Sequence, residues 1–119
     1  MRGGGIMDHK NTYLRFVNLM IAAERLSSLP PIDAVEARIL KLLSIYWEQS
    51  APITVVVAMK ISDEVSSSTM FRYLKKLREK GYLQLVMDVR DNRVKYVEAT
   101  NQTHRYFSEL GKLMHQAVG

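Results

Sequence analysis

The chain has 119 residues, of which 47% are hydrophobic and 24% are charged, and this is the composition of one folded domain rather than of a disordered segment. It contains no cysteine, which excludes disulfide bonds, thiolate metal sites and a cysteine nucleophile. Neither a signal peptide nor an apolar stretch of membrane-spanning length is found, so we expect a cytoplasmic protein with no membrane partner.

Basic residues outnumber acidic ones by 17 to 12, and most of the excess lies in one central segment. Residues 60–95 contain nine basic and five acidic residues, whereas the flanking segments are nearly balanced. A surface that meets a polyanion has this charge distribution, and so does a solvated lysine-rich helix. Charge alone therefore leaves both interpretations open, and the local architecture has to decide between them.

The N-terminal residues predict a loose tail followed by a helix. Residues 1–9 include three consecutive glycines and are predicted to be flexible. Residues 10–29 have the length of a helix, and their apolar side chains spread over two sides of it. Because a 119-residue chain cannot cover both sides, we expect one side to pack against a second subunit. Pro30 and Pro31 end this helix.

Two further helices are predicted in the next part of the chain. Asp33 and Glu36 form a capping-box-like start for the first of them. Thr54 is placed to cap a short second helix over residues 55–59, although its three consecutive valines also carry strand propensity. Residues 61–66 are predicted to form a turn.

The clearest helix is predicted over residues 67–80, where a run of serines can supply the N-cap and Gly81 the C-terminal glycine. We expect its apolar stripe to be buried, and this stripe is Met70, Tyr73, Leu74 and Leu77. At about 100° per residue the opposite side is basic, and it carries Ser68, Arg72, Lys75 and Glu79 with Phe71 and Lys76 at its edges.

A hairpin is predicted directly after this helix. Two strand-like runs cover residues 82–88 and 94–100, and a polar tip over residues 89–93 joins them. Arg90 and Arg93 give the tip a positive bias. A hairpin of this size is narrow enough to place an arginine at the minor groove of DNA.

A last helix is predicted over residues 101–118, where apolar side chains recur as a single stripe. The predicted fold class is therefore mainly α with a small β-hairpin (α+β), in one domain over residues 10–119.

A short helix, a tight turn and a basic-faced helix in this order form a helix-turn-helix, and the charged hairpin makes the unit winged. A helix of this diameter fits the major groove, so double-stranded DNA is the expected partner.

These segments resemble one known family. Residues 67–83 resemble the recognition helix and helix-end glycine of MarR-type winged helix-turn-helix transcriptional regulators. Asp91 and Arg93, followed after a strand by Thr100, resemble the D-x-R wing of that family and the threonine that opens its last helical region. The resemblance covers residues 32–100.

The resemblance implies a homodimer that binds a palindromic operator, often under the control of a small-molecule effector. It implies that the helix at residues 67–80 lies in the major groove and that the wing at residues 88–94 lies at the minor groove. It further implies that Arg93 reaches this groove while Asp91 orients it.

The domain organisation is predicted from the same comparison. Residues 32–100 are the expected DNA-binding core. Residues 10–29 and 101–118 are the expected dimerisation helices, because their apolar residues exceed what one chain can cover.

The predicted DNA-contact residues lie on the basic helix and on the wing, and they are Ser67, Ser68, Thr69, Phe71, Arg72, Lys75, Lys76, Arg90, Asp91 and Arg93. Several of them have a plainer interpretation. One of the three hydroxyl residues is expected to serve only as the helix N-cap, Phe71 can pack against the turn, and Asp91 can simply cap a turn. Lys95 lies on a strand, and we expect it to be solvated.

Two other function classes compete with a DNA-binding regulator. A winged-helix module that binds proteins and has no operator would show the same order of elements. An enzyme has little support, because the sequence shows no nucleophile–base pair, no phosphate-binding loop and no metal cluster. We therefore expect no enzymatic activity and no cofactor.

Overall fold

The computed structural model describes residues 5–26, 28–49 and 52–118. Along these residues the chain forms α1 (Gly5–Leu26), α2 (Ala34–Glu48), α3 (Val55–Ala58), α4 (Ser67–Glu79), β1 (Leu83–Met87), β2 (Lys95–Ala99) and α5 (Asn101–Val118). This order confirms the predicted fold class, which is mainly α with a small β-hairpin. None of the described helices is long and apolar enough to cross a membrane.

The first helix, α1, begins at Gly5, which is earlier than predicted. Residues 5–9 of the predicted tail lie in this helix, while residues 1–4 lie outside the described part of the chain. A glycine costs a helix only about 1 kcal/mol relative to alanine.

The start of α2 has the capping box that the sequence predicts. Asp33 Oδ1 accepts a hydrogen bond from the Glu36 backbone N–H at 2.7 Å, and Glu36 Oε1 accepts one from the Asp33 backbone N–H at 2.9 Å. Glu36 is only 1% exposed, and Lys80 Nζ donates to its Oε1 at 2.7 Å. This ion pair joins the start of α2 to the residue that follows α4.

The short helix α3 has the predicted N-cap. Thr54 Oγ1 accepts a hydrogen bond from the Val57 backbone N–H at 3.2 Å, so the consecutive valines are helical rather than extended. Thr54 itself forms an isolated β-bridge with Tyr96. The cap therefore marks the point at which the chain leaves the sheet and turns into α3.

The C-terminal end of α4 depends on a glycine, as predicted. Gly81 has a φ of +87°, in the left-handed region that favours glycine. A Cβ atom at this position would lie 3.0 Å from Gln102 Oε1. Gln102 Nε2 donates to the Lys80 carbonyl at 2.8 Å, so the first turn of α5 is held against the end of α4.

The two strands form an antiparallel hairpin, and its register defines two faces. Leu85 pairs with Val97, and Met87 pairs with Lys95. Because side chains alternate along a strand, Leu83, Leu85 and Met87 share one face with Val97 and Lys95. Leu83 and Val97 are buried, so this face, called the inner face of the hairpin below, is turned toward the core.

Residues 32–104 form one compact unit with its own apolar core. The buried side chains of this unit are Ile39, Leu40, Leu43, Ile53, Ala58, Met70, Leu74, Leu77, Tyr82, Leu83 and Val97. In the same unit the buried Thr103 hydroxyl donates to the Tyr82 carbonyl, and Trp47 Nε1 donates to the Val97 carbonyl at 3.0 Å, whereas the buried Glu36 Oε2 has no hydrogen-bond partner within the described part of the chain. Of the predicted buried stripe of α4, Tyr73 alone is only half-buried.

A second unit contains residues 1–31 and 105–119. Within it, Arg15 Nη2 donates to the Gln116 carbonyl at 3.1 Å, which links α1 to α5. Large apolar side chains of this unit are exposed on the single chain, and they are Tyr13, Leu14, Ile21, Met114 and Val118. The use of these helices in dimerisation stays a prediction.

Candidate nucleic-acid interface

The exposed side of α4 carries most of the predicted DNA-contact residues. Met70, Leu74 and Leu77 of this helix are buried, so its other side is turned to solvent. The exposed residues of that side include Ser67, Ser68, Phe71, Arg72, Lys75 and Lys76. Thr69 is half-buried. The exposure agrees with the predicted placement, and the DNA contacts themselves stay predictions.

The N-cap of α4 comes from the run of serines that the sequence predicts. Ser66 is the cap: its Oγ accepts a hydrogen bond from the Thr69 backbone N–H at 3.2 Å and donates to Thr69 Oγ1 at 2.9 Å. The expectation that Ser67, Ser68 or Thr69 is the cap is therefore wrong. Ser66 has the extended backbone of a cap residue, with ψ 156°, whereas the next residues are already helical.

The cations of α4 differ in how they are held. Lys76 Nζ lies 5.1 Å from the centroid of the Tyr73 ring, in a cation–π contact. Among the described residues, Arg72, Lys75 and Arg78 have no ion pair. These three side chains therefore carry positive charge that no carboxylate of this part of the chain neutralises.

Asp88, at the base of the wing, organises the turn through both of its oxygens. Its Oδ2 accepts hydrogen bonds from the backbone N–H groups of Arg90 at 2.9 Å and Asp91 at 3.0 Å, and its Oδ1 accepts one from the Tyr96 hydroxyl at 2.8 Å. The Tyr96 hydroxyl is the largest cause that lowers the pKa of Asp88, followed by the two N–H groups. The same hydrogen bond raises the pKa of Tyr96.

Asp88 and Tyr96 are not among the site residues predicted from the sequence. An aspartate where a strand gives way to a short polar turn is a known local signal, because its side chain accepts hydrogen bonds from N–H groups two and three residues on. The contribution of Tyr96 has no such signal, since it depends on the pairing of the two strands.

The predicted partnership of Asp91 and Arg93 is present in the wing. Arg93 Nε donates to Asp91 Oδ1 at 3.0 Å and Arg93 Nη2 donates to Asp91 Oδ2 at 3.1 Å. The Arg93 backbone N–H also donates to Asp91 Oδ1, so Asp91 both orients the guanidinium and caps the turn. The guanidinium lowers the pKa of Asp91, and the carboxylate raises that of Arg93. Arg90 is exposed at the tip, beside this pair.

A cleft of about 590 Å³ is lined by α4, the hairpin and the start of α3. Its floor is mostly apolar, and its rim carries cations from α4 and the hairpin. The rim and wall residues used below are Phe71, Leu74, Lys75, Arg78, Arg93 and Lys95. We call this space the α4–wing cleft. It brings Lys75 and Arg93 of the predicted set to one surface.

A short helix, a turn, a basic helix facing solvent and a two-stranded hairpin beside it define a winged helix-turn-helix protein. Similarity to solved structures shows which proteins of this class share the fold. A mutant of MarR from E. coli has a TM-score of 0.56 at 21% identity, over 98% of this chain and 82% of that chain. A transcriptional regulator from Thermotoga maritima has a TM-score of 0.57 at 22% identity, over 89% and 72%.

Two more neighbours carry information about ligands of their own. A MarR mutant from E. coli complexed with operator DNA has a TM-score of 0.51 at 20% identity, over 95% of this chain and 66% of that chain. BpsR of Bordetella bronchiseptica, whose DNA binding is regulated by 6-hydroxynicotinic acid, has a TM-score of 0.54 at 17% identity, over 92% and 72%. The chain therefore has the fold of MarR-type regulators, as the sequence resemblance predicts.

No protein-family model and no curated protein matches the sequence. In the described part of the chain, no group of three or more histidine, aspartate or glutamate side chains is placed to hold a metal ion.

Proposed function

We propose that the protein is a sequence-specific transcriptional regulator that binds double-stranded DNA as a homodimer on a palindromic operator. The recognition helix is α4, which enters the major groove, and the wing at residues 88–94 lies at the minor groove. The DNA-contact residues are those predicted from the sequence, with Ser66 rather than a later residue as the helix cap.

The observation that carries this proposal is the convergence of cations from two elements on one surface. Lys75 of α4 and Arg93 of the wing line the same cleft, and Arg72 is exposed on the same helix. A helix about 10–12 Å across fits a major groove about 12 Å wide. An arginine beside it matches the negative potential of a narrow minor groove. The fold shared with the operator complex of E. coli MarR supports this arrangement.

The homodimer is supported by the exposed apolar side chains of the second unit. Tyr13 is 63% exposed, and Met114 is 57% exposed. Leaving such side chains in water costs free energy that a second copy removes by covering them. A symmetric dimer would place two copies of α4 about 34 Å apart, one turn of DNA, and would therefore read an inverted repeat.

A small-molecule effector is part of the proposal. The support is the regulation of BpsR by 6-hydroxynicotinic acid, together with the shared fold. A ligand changes DNA affinity only if it binds one conformation better than another. Calorimetry of the protein with candidate ligands, with and without operator, would measure such a difference.

The decisive experiment is selection from a pool of random duplexes, followed by sequencing. We expect an enriched inverted repeat whose half-sites are centred about 10 base pairs apart. Fluorescence anisotropy with the selected duplex and a scrambled one then gives the specificity ratio. Both affinities should fall steeply as salt rises, because bound lysines and arginines release counterions.

Failure of the selection would be informative. If no sequence is enriched and retention on heparin matches net charge alone, the protein is a winged-helix interaction module without an operator. A salt-independent affinity for the selected duplex would contradict the phosphate contacts.

A further inference from the structure

The lining of the α4–wing cleft combines apolar side chains with cations. Two of its cations, Arg78 on α4 and Lys95 on β2, belong to no predicted contact. We propose that this cleft seats the sugar–phosphate backbone of bound DNA and that Arg78 and Lys95 are phosphate-binding residues. This proposal rests on the proposed function, which it makes more specific.

One wall of the cleft is a stripe along α4. Phe71, Leu74, Lys75 and Arg78 follow each other at intervals of three, one and three residues, so they lie on one side of the helix. Leu74 is 7% exposed and Phe71 is 52% exposed, whereas both cations of the stripe are exposed. The wall is therefore apolar at its base and positive at its rim.

The other wall is the inner face of the hairpin. Lys95 pairs with Met87 and shares its side of β2 with the buried Val97. Because side chains alternate, Lys95 is turned toward α4 at the end of the strand that is farthest from the core. The prediction that Lys95 is a solvated strand residue did not include the direction of its side chain. The acidic Glu98 lies on the opposite face of the strand.

The charges around the cleft are all of one sign. Lys75, Arg78, Arg93 and Lys95 line it, and no carboxylate does. Of these four cations, Arg93 alone has an ion pair among the described residues, and its partner is Asp91. Cations that converge without a counter-charge repel each other, and an anion between them relieves this repulsion.

The backbone of duplex DNA fits both the charge and the apolar floor. It consists of alternating phosphates and deoxyribose rings, and it separates the major groove from the adjacent minor groove. A protein with α4 in the first groove and its wing at the second must accommodate this backbone between the two elements. The α4–wing cleft is the space between them.

Charge-neutral variants test the proposal. Arg78→Gln and Lys95→Gln should each weaken binding by about threefold to tenfold, and equally on the selected and scrambled duplexes. Each should reduce the slope of log K against log salt by about one, since one phosphate contact is lost. Lys41→Gln is the matched control, because Lys41 is exposed on α2 and does not line the cleft. Its slope should stay that of the wild type.

Methylphosphonate scanning locates the contact. Replacing one phosphate at a time by an uncharged methylphosphonate should weaken wild-type binding at the backbone positions between a half-site and its flanking minor groove. At those positions Lys95→Gln or Arg78→Gln should show little further loss, since the charge pair is already broken. Circular dichroism and thermal melting confirm that each variant is folded.

Two results would overturn the proposal in different ways. The proposed phosphate contacts would be contradicted if both variants kept the wild-type salt slope, or if their losses were additive at every methylphosphonate position. Either result would leave the proposal of a DNA-binding regulator intact. A wild-type protein that binds no duplex at all would remove the proposed function, and the seat with it.

Discussion

In the wing, Asp91 holds the Arg93 guanidinium through both of its carboxylate oxygens, at 3.0 and 3.1 Å. The planar fork of arginine matches a carboxylate in this way, so the pair fixes a direction that a free arginine side chain lacks. The Arg93 side chain is 87% exposed, and solvent screens the pair. We infer that the pair supplies orientation more than stability.

Replacement of Asp91 tests orientation against charge. Asp91→Asn removes a negative charge close to the proposed DNA surface, and charge alone would therefore strengthen binding. If orientation of Arg93 matters more, binding weakens by about twofold to fivefold. Anisotropy with the selected duplex measures the sign. Arg93→Ala is the reference, and tighter binding by Asp91→Asn would contradict the orienting role.

The pH dependence of the wing depends on two carboxylates. Hydrogen bonds lower the pKa of Asp88 and Asp91 below the ordinary value of 3.8. A group with a lowered folded pKa stabilises the fold above its ordinary pKa, and this contribution is lost as the pH falls through the folded value. We therefore expect the wing amide shifts to stay constant from about pH 7 to about pH 5 and to titrate with midpoints below 3.8.

The Tyr96→Phe variant identifies the main cause. It removes the hydroxyl that donates to Asp88, so the Asp88 midpoint should rise toward 3.8 while that of Asp91 moves little. Titration followed by NMR measures both midpoints in one experiment. An unchanged Asp88 midpoint would show that the backbone N–H groups alone hold the carboxylate.

Two residues of α4 should differ in what they recognise. Arg72 is exposed with no ion pair in the described part of the chain, whereas Lys76 is held over the Tyr73 ring. We expect Arg72→Ala to weaken binding to the selected duplex by about 1–3 kcal/mol more than to a scrambled one. Lys76→Ala should weaken both alike. Equal losses for Arg72→Ala on the two duplexes would assign it to the DNA backbone.

At the scale of single elements, the two ends of α4 are held by different means. Ser66 caps the start through its own side chain, and Gly81 ends the helix with a backbone conformation that other residues rarely adopt. Lys80 adds a contact outside the helix, to the buried carboxylate of Glu36. The recognition helix is therefore fixed at both ends, which keeps its exposed side in one position relative to the hairpin.

A pair of glycine substitutions tests the end of α4. Gly81→Ala forces a positive φ on alanine and places its Cβ against Gln102, so it should destabilise the fold by about 1–2 kcal/mol. Gly111→Ala is the matched control, because nothing lies within 4 Å of the added Cβ in α5. It should stabilise by about 0.5–1 kcal/mol. Urea unfolding measures both, and a stabilising Gly81→Ala would contradict the assigned turn.

The elements were predictable because their signals are local. The capping box of Asp33 and Glu36, the Thr54 cap and Gly81 each act within a few residues. The N-cap of α4 could not be assigned to one serine from the sequence, because consecutive serines offer the same hydroxyl and only the backbone angles select Ser66. Local rules rank residue types well, but they do not choose between identical neighbours.

The contacts that were missed are those between elements. Lys80 is 44 positions from Glu36 in the sequence, and no spacing rule connects them. The direction of Lys95 depends on strand register, and the α4–wing cleft depends on how a helix packs against a sheet. The candidate site was therefore predicted as a set of residue types, and its shape required the structure.

Across the molecule, the residues of the proposed DNA surface and those of the proposed dimerisation helices fall mainly in different units. The cations of α4 and the wing belong to residues 32–104. Exposed large side chains such as Tyr13 and Met114 belong to the unit that contains α1 and the rest of α5. We infer that one unit contacts DNA and that the other contacts a second subunit.

A single carboxylate added to α5 tests whether this unit forms the dimer. Met114→Glu places a carboxylate on an exposed apolar position of α5, and we expect it to turn a dimer into monomers and to weaken operator binding. Ser108→Glu adds the same charge at an exposed polar position of the same helix and should leave the dimer intact. Sedimentation velocity measures both. A monomeric wild type, or a dimeric Met114→Glu, would contradict dimerisation through this surface.

The hydrogen bonds that shape the wing tip join residues at most eight positions apart, from Asp88 to Tyr96. Within the described part of the chain, only Tyr96 among these residues is also tied to a distant one, through its β-bridge with Thr54. The turn between Asp88 and Tyr96 could therefore be exchanged for another short turn with the same hydrogen bonds, which under the proposed function would change the flanking bases that the wing accepts.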